Sequence, residues 1–183
     1  MDKKMVISQA RIKDLDAVME IIAEARGTIA ALGIDQWQDG YPQREIIEAD
    51  ILSGVSYCIE NTESGEILAT FGVFEAGDVL YDKIFDGEWR MGDSLSCLGE
   101  GVVYTAIHRV AISVKSRGQG LSTAMIDFVA EKARAKGKRS LRIDTHEGNV
   151  VMRKMLEKHG FCHCGTIYLE NGDPRVAYEK VLD

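Results

Sequence analysis

The residues best suited to chemistry form a glycine-bearing turn at positions 117–122, with the sequence RGQGLS. A long run of β type, residues 102–114, precedes this turn, and apolar residues at helical spacing follow it. Glycines between a strand and a helix let successive backbone N–H groups point into one concavity, and the helix N-terminus adds about half a positive charge. The turn therefore suits a phosphate or pyrophosphate group. The alternative is a tight turn that needs glycine dihedral angles and binds nothing.

Two better-known phosphate-binding motifs do not fit this turn. A Walker loop ends in Gly-Lys-Ser/Thr, whereas Gly120 is followed by Leu121 and Ser122. The dinucleotide fingerprint G-x-G-x-x-G requires glycine at position 123, which is Thr123. Asp144 lies where such a fold would place its ribose-binding acid, but predicted antiparallel hairpins precede the turn. These hairpins and Thr123 disfavour a nicotinamide-dependent oxidoreductase.

Apolar periodicity predicts seven strands and four helices in the order β-α-α-β-β-β-α-β-α-β-β. The first two helices lie on either side of residues 33–42, the third runs from 121 to before Gly137, and the fourth covers 149–159. Hairpins early and late in the chain, with one crossover helix between them, predict an α+β fold with a mixed, mostly antiparallel sheet and helices on both faces. The strands are predicted over residues 5–10, 55–60, 66–74, 102–114, 140–145, 161–169 and 175–181.

Composition and charge narrow the class of protein. The 183 residues predict a single domain, 1–183, because 45% hydrophobic and 28% charged residues are ordinary for a globular chain. With 22 Lys+Arg against 29 Asp+Glu the formal charge is −7, which argues against a nucleic-acid partner. No apolar run has the roughly 18 residues of a membrane helix, no apolar signal core is present, and the four cysteines form no disulfide framework. We therefore expect a cytoplasmic protein without a membrane or nucleic-acid partner.

Two irregular segments are candidates for substrate recognition. Residues 33–42, GIDQWQDGYP, contain the large aromatic residues Trp37 and Tyr41. Such a loop either lines a binding site or places its rings over the core, and both interpretations stay open. Residues 76–101, called the excursion below, are rich in Gly and Asp. Loops of this length in a small domain are usually functional or poorly ordered.

The segment HRVAISVKSRGQGLSTAMIDFVAEKARAKG resembles the acyl-CoA motif of the GNAT superfamily of N-acetyltransferases. The family signature is Gln or Arg, two residues, Gly, one residue, then Gly or Ala, and Arg117, Gly120 and Ser122 stand at those positions. Ser122 departs from the signature but is small. Asn149, the later LEKHGF and the order of the predicted elements also resemble the family, so the resemblance covers nearly the whole chain.

The resemblance implies that acetyl-CoA binds in a V-shaped opening between two parallel strands, one ending at Val114 and the other over 141–145. The pantetheine arm would pair with main-chain groups of the first strand, whose unpaired ladder groups need partners, and the pyrophosphate would bind amides of the glycine turn. The cofactor-binding residues implied in this way are Val110, Ala111, Ile112, Val114, Arg117, Gly118, Gln119, Gly120, Leu121, Ser122, Asn149 and Met152.

Acetyl transfer requires a neutral amine, because an ammonium with a lysine-like pKa of about 10.4 has no lone pair. Strand alternation places Tyr104 and His108 on one face, and histidine accepts protons at neutral pH, so His108 is the first candidate base. The alternative is a half-buried structural histidine. Glu100, just before the strand, is the second candidate base. Tyr104 holds substrate, moves a proton, or packs in the core.

The general acid stays open. Many family members carry a tyrosine four residues before the glycine of the Gly-Phe pair, where this chain has Leu156. Either Tyr168 or Tyr178 protonates the departing CoA thiolate, or the thiolate leaves unassisted, which a thiol with a pKa of about 8.5 tolerates. The missing tyrosine also motivates an alternative function, a non-catalytic acyl-CoA-binding regulatory module.

No metal is expected. His159, Cys162, His163 and Cys164 lie close together, but zinc pairs are spaced C-x₂₋₄-C and no second pair exists. The expected activity is direct attack of a primary amine, from a small molecule or a peptide, on acetyl-CoA in a ternary complex. A homodimer through an edge strand of the closing hairpin is a further expectation.

Overall fold

The computed structural model describes residues 4–92 and 101–183. It contains the predicted seven strands and four α-helices in the predicted order, together with short 3₁₀ helices at Ile12–Asp14, Val79–Tyr81 and Val114–Ser116. The elements are β1 (Met5–Gln9), α1 (Leu15–Ala30), α2 (Arg44–Leu52), β2 (Ser56–Asn61), β3 (Ile67–Phe74), β4 (Tyr104–Ile112), α3 (Leu121–Ala135), β5 (Ser140–Thr145), α4 (Val150–Lys158), β6 (Cys162–Tyr168) and β7 (Pro174–Val181).

The strands form one sheet in the order β1-β2-β3-β4-β5-β7-β6. β1 with β2, β2 with β3, β5 with β7 and β6 with β7 pair antiparallel, whereas β4 and β5 pair parallel. The parallel pair follows from the crossover through α3, because parallel neighbours cannot be joined by a tight turn. The predicted α+β class with a mixed, mostly antiparallel sheet is confirmed. No helix in the described part of the chain is both long and apolar enough to span a membrane.

β4 is shorter than the strand predicted over 102–114. At its far end the backbone turns into a 3₁₀ helix, and the amide of Val114 donates to Oε2 of Glu24 in α1 at 2.8 Å instead of to a neighbouring strand. At its near end the carbonyl of Val103 accepts from the amide of Arg139, in the connection that leads into β5. The apolar pattern continued past both ends, but the hydrogen-bond partners that end the strand come from other parts of the chain.

The chain divides into two compact units, each built from two segments. The first comprises Met1–Val73 and Arg109–Met125, and the second comprises Phe74–His108 and Ile126–Asp183. In the first unit, α1 and α2 are amphipathic helices whose apolar sides form one core with residues of β2, β3 and β4. Its buried members include Leu15, Val18, Ile21, Ile22, Ile47, Ile51, Cys58, Ile67 and Ala111.

In the second unit, the excursion supplies core residues. Tyr81 and Trp89 are 2% and 3% exposed and pack with Tyr104 and Ala106 of β4 and with Ile167 of β6. Two buried aromatic side chains hold this segment in place, because each removes a large apolar area from water. The described part of the excursion is therefore an ordered piece of the core rather than the poorly ordered loop that its Gly and Asp content allowed.

The excursion also covers the outer edge of β6. Phe85 and Thr166 exchange two backbone hydrogen bonds of 2.8 Å, and the amide of Glu88 donates to the carbonyl of Cys164 at 2.9 Å. An exposed strand edge offers unpaired groups to other chains, and here the middle of that edge is occupied by the same chain. The homodimer remains a prediction, but pairing through β6 competes with this segment.

We expect Gly87→Ala to destabilise the protein. A Cβ at Gly87 would lie 1.9 Å from the carbonyl oxygen of Cys164, so the excursion must move away from β6. Overpacking of this kind costs about 2 kcal/mol, or roughly 4–8 °C in Tm at this chain length. The matched control is Gly27→Ala in α1, where a Cβ meets nothing within 4 Å and helix propensity adds about 1 kcal/mol to the free energy of unfolding. Thermal unfolding of both variants checks this, and equal shifts would contradict the close backbone contact.

Candidate active site

β4 and β5 stop pairing partway along their length. The register joins Tyr104 to Ser140 and Ala106 to Arg142, and in the described residues it goes no further. β5 continues to pair with β7 on its other side as far as Thr145. The parallel pairing of β4 with β5 therefore ends at Ala106, before either strand does.

His108 lies on β4 just past the last paired residue. Its Nε2 is 2.9 Å from Oδ2 of Asp78 in the excursion, and the two side chains are 17% and 20% exposed. Phe74 and Tyr81 pack against the imidazole, with ring centroids 5.1 and 5.8 Å away. His108 therefore lies beside a carboxylate and between two aromatic rings. The predicted base thus has a carboxylate partner that the sequence analysis missed.

Asp78 is oriented by its own local structure. Its Oδ1 accepts from the amide of Leu80 at 2.8 Å and caps the 3₁₀ helix Val79–Tyr81, which leaves Oδ2 facing His108. Aspartate favours such caps because its short side chain reaches the amide two residues on. Nothing in the Asp-Val-Leu-Tyr segment of the sequence pointed to a partner thirty residues later.

A second carboxylate, Asp144 near the end of β5, accepts a 2.7 Å hydrogen bond from the Tyr81 hydroxyl at Oδ1. Burial raises the pKa of Asp144, and the charge of His108 and the hydrogen bond from Tyr81 offset part of that rise. Burial also raises the pKa of Tyr81 well above its ordinary value, and the negative charge of Asp144 adds to the effect. Tyr81 therefore stays a protonated donor at neutral pH.

The other residues predicted for catalysis are Tyr104, Glu100 and the two candidate acids on the closing hairpin. Tyr104 is buried in the core of the second unit, and its hydroxyl bonds to main-chain groups of Asp78. Glu100 lies outside the described residues. The hydroxyl of Tyr178 accepts from Nε of Arg153 at 3.1 Å and donates to Glu157 at 3.2 Å. The remaining candidate acid, Tyr168, is 44% exposed.

The glycine turn belongs to the first unit and leads directly into α3. Gly118 and Gly120 have φ angles of 78° and 79°, a conformation that side chains rarely adopt, and a Cβ at either would meet nothing within 4 Å. Nη2 of Arg117 donates to the hydroxyl of Thr28 in α1 at 2.8 Å, which fixes the start of the turn. The space next to the Cα atoms of both glycines is therefore open, and the turn leads into the N-terminus of α3.

Asn149 and Met152 are adjacent in the second unit. Oδ1 of Asn149 accepts from the amide of Met152 at 3.2 Å and so caps α4. Leu156, which occupies the position of the tyrosine found in many GNAT enzymes, is fully buried. In this chain the position serves the packing of α4.

The aromatic loop 33–42 is fixed to α1 by Arg26, a residue that the sequence analysis did not single out. Its Nε donates to the carbonyl of Tyr41 at 3.1 Å, and its Nη2 donates to the carbonyls of Gly40 and Pro42. The rings of Trp37 and Tyr41 are half-buried, with centroids 6.4 Å apart. This partial exposure fits both of the interpretations left open for the two rings.

Arg109, the residue after His108, interrupts the extended conformation of β4 with a φ of 51°. Its Nε is 2.9 Å from Oδ2 of Asp50 in α2, and its Nη2 donates to Oδ1 at 3.2 Å. A positive φ in a non-glycine residue is strained and persists only where other interactions hold it. The two-point ion pair with Asp50 supplies that restraint.

Two of the thiols in the described residues are buried. Burial raises the pKa of Cys58 to about 12 and also raises that of Cys164. Cys162 is exposed, and its Sγ accepts from Nη1 of Arg90 at 2.9 Å. Among residues 4–92 and 101–183, no three His, Cys, Asp or Glu side chains are grouped to hold a metal ion.

The model of the acetyltransferase (GNAT) family matches residues 15–161, and this chain belongs to that family. A GNAT acetyltransferase from Streptococcus agalactiae 2603 is 34% identical, has a TM-score of 0.84, and is matched over 99% of this chain and 97% of its own. Two more distant structures share the fold. One is a GNAT acetyltransferase from Listeria monocytogenes 4b F2365, with 19% identity, a TM-score of 0.69, and 97% and 95% coverage. The other is Ard1 from Thermoplasma volcanium, with 11% identity, a TM-score of 0.66, and 98% and 99% coverage. No curated protein gives a significant match.

The predicted family and fold are thus confirmed, and the chain is an acetyltransferase. Members of this family generally use acetyl-CoA and act on amines.

We expect Asp144→Asn to stabilise the protein at neutral pH. The raised pKa of Asp144 means that the folded state binds its proton more tightly than the unfolded state, so stability falls as pH rises through that raised pKa. Asparagine still accepts from Tyr81 and carries no charge to bury. The increase in the free energy of unfolding should therefore be present at pH 7.5 and shrink as the pH falls toward the ordinary pKa of a carboxyl group. Urea unfolding at both pH values measures it. Asp127→Asn, on the exposed side of α3, is the control, and a gain that does not depend on pH would contradict the account.

Proposed function

We propose that this chain transfers the acetyl group of acetyl-CoA to a primary amine by direct attack in a ternary complex, with His108 as the base. The observation that carries the proposal is the 2.9 Å approach of Asp78 to His108 on the strand that leads into the glycine turn. The amine belongs to a small molecule or a peptide. Its ammonium form is attracted to the carboxylates near His108, since opposite charges interact strongly where water is scarce.

We further propose which nitrogen of His108 works as the base. In the proposed tautomer Nε2, 2.9 Å from Oδ2 of Asp78, carries the proton, since an ionised carboxylate cannot donate one. Nδ1 is then the nitrogen that accepts the proton of the attacking amine. As the proton arrives, the imidazolium is stabilised by Asp78, in the way that a carboxylate supports histidine in other acyl-transfer sites.

The bond changes then balance without an enzyme-bound intermediate. The bound ammonium first releases one proton to solvent, because only the neutral amine has a lone pair. Its nitrogen then attacks the thioester carbonyl carbon, the carbon–nitrogen bond forms, and a second proton passes from the nitrogen to His108. The carbon–sulfur bond breaks and CoA leaves as a thiolate, which is acceptable for a thiol with a pKa of about 8.5. Tyr178 already donates its hydroxyl hydrogen to Glu157, so we propose departure without a protein acid.

The two buried thiols, Cys58 and Cys164, are poor nucleophiles for an acetyl-cysteine intermediate. A cysteine nucleophile reacts as the thiolate, and burial raises the pKa of Cys58 to about 12 and raises that of Cys164. Both thiols are therefore protonated at neutral pH.

For acetyl-CoA, we propose that main-chain groups of Val110, Ala111 and Ile112 pair with the pantetheine arm and that the amides of residues 117–122 bind the pyrophosphate. The open concavity at Gly118 and Gly120 fits this role. Val114 fits less well, because its amide already donates to Glu24. The roles of Asn149 and Met152 rest on the family resemblance, with the N-cap of α4 as their structural setting.

We expect His108→Ala to lower kcat by about 100-fold or more, because general-base catalysis contributes about that factor. The Kd for CoA should change less than about two-fold, which is under 0.5 kcal/mol. Release of CoA with an amine panel measures the first and calorimetry the second. His163→Ala, on the exposed side of β6, is the matched control. Full turnover in His108→Ala would show that another group is the base, and CoA binding without turnover in the wild type would favour the regulatory module.

We expect Gly120→Ala to weaken CoA binding by roughly tenfold, or about 1.4 kcal/mol, because the methyl group enters the proposed pyrophosphate site. The φ of 79° also strains alanine, so a control with the same strain is needed. Gly172→Ala in the β6–β7 turn supplies it, with a φ of 88° and nothing within 4 Å of its Cβ. Both variants should lose similar thermal stability, and only Gly120→Ala should lose CoA affinity. Equal CoA affinities would remove the turn from the binding site.

A further inference from the structure

The core of the second unit contains a buried ion pair that the proposed chemistry does not use. Nε of Arg142 donates to Oε1 of Glu179 at 2.8 Å, and the side chains are 1% and 0% exposed. A buried ion pair requires hydrogen bonds to its remaining atoms, because desolvation otherwise exceeds the Coulombic attraction. The hydroxyl of Ser140 and two main-chain groups of the excursion supply them: the amide of Met91 donates to Oε2 of Glu179, and the carbonyl of Gly92 accepts from Nη2 of Arg142.

The faces of the Arg142 guanidinium are covered by aromatic rings. Its Cζ lies 4.1 Å from the ring centroid of Trp89 and 4.2 Å from that of Tyr104. Arginine stacks well in this way because its cation is planar and weakly hydrated. Tyr104 of β4 and Trp89 of the excursion therefore stack on the same buried guanidinium, and this stacking restricts the ring of Tyr104.

The hydroxyl of Tyr104 bonds to both main-chain groups of one residue. It accepts from the amide of Asp78 at 3.0 Å and donates to the carbonyl of Asp78 at 3.2 Å. A phenol is one of the few side chains that can donate and accept at once. The backbone of Asp78 is therefore fixed from the side, while its carboxylate faces His108.

We propose that Tyr104 is a positioning residue for the reaction: held by the Arg142–Glu179 pair, it fixes Asp78 so that its carboxylate supports His108. The inference rests on the proposed role of His108. Tyr104 and His108 lie four residues apart on one face of β4, so the strand carries both the base and the anchor of its carboxylate partner. Tyr104 itself makes no contact with substrate in this account, because its hydroxyl is engaged with Asp78.

A double-mutant cycle on Tyr104→Phe and Asp78→Asn tests the inference. Tyr104→Phe keeps the stacked ring and removes only the hydroxyl, and it should lower kcat by about tenfold, since misplacement of a catalytic partner costs factors of 10 to about 100. KM for acetyl-CoA should stay within about twofold, and the acidic limb of the pH–rate profile should move as Asp78 loses alignment with the imidazole. In the Asp78→Asn background, Tyr104→Phe should change kcat by less than about twofold, because the two residues act through one contact.

Tyr57→Phe, which removes a hydroxyl from a buried tyrosine of β2, is the matched control for general loosening and should leave the pH profile unchanged. If Tyr104→Phe is too unstable to assay, Arg142→Lys keeps the charge, loses the planar stacking, and should give the same shift of the acidic limb.

Independent effects in the double variant, or an unchanged kcat and pH profile in Tyr104→Phe, would overturn the inference. Failure of the proposed function can be distinguished from failure of this inference. Full activity in both His108→Ala and Asp78→Asn would show that His108 is not the base. Loss of activity in those two variants with a normal Tyr104→Phe would refute only the positioning role.

Discussion

The Arg142–Glu179 ion pair must find its hydrogen-bond partners inside the protein, because neither charged side chain is exposed to water. The described part of the excursion provides what the pair lacks: two main-chain groups near its end and the ring of Trp89. Contacts of Trp89, Met91 and Gly92 with the ion pair thus hold one end of this stretch, and Asp78 and Tyr81 at its start lie beside His108. A Gly- and Asp-rich segment with little regular structure is thereby anchored by its contacts with the buried ion pair.

Most of the fold was predictable because it rests on local periodicity. Residues 140–145 alternate as a buried strand should, and β5 occupies Ser140–Thr145. The ends of β4 were not predictable, since they are decided by Glu24 and Arg139, which come from distant parts of the chain. The packing role of the excursion was not predictable for a related reason. Its composition indicates a loop, but Tyr81 and Trp89 are large apolar rings that core packing uses.

The candidate site was only partly predictable. His108 was found because strand alternation and residue type are local properties, and the glycine turn because its spacing resembles a family motif. Asp78 and Asp144 were not found as its neighbours, since one lies in an irregular segment and the other at the end of a different strand. Asp144 had drawn notice only for a dinucleotide fold that the chain does not have. For Tyr104 the sequence left substrate binding, proton transfer and core packing open. The residue is buried in the core, and its hydroxyl bonds to the main chain of Asp78, a contact that the sequence did not indicate.

The measurement that tests the central claim most directly is the fate of the acetyl group itself. The wild-type protein would be incubated with acetyl-CoA labelled with ¹³C in its acetyl group and a panel of primary amines, and small molecules and protein would be analysed by mass spectrometry. Direct transfer predicts the labelled acetyl group on the nitrogen of an acceptor amine, one CoA released for each labelled product, and no label on the protein. Label retained on a cysteine, or CoA bound with no labelled product from any amine, would contradict direct transfer with His108 as the base.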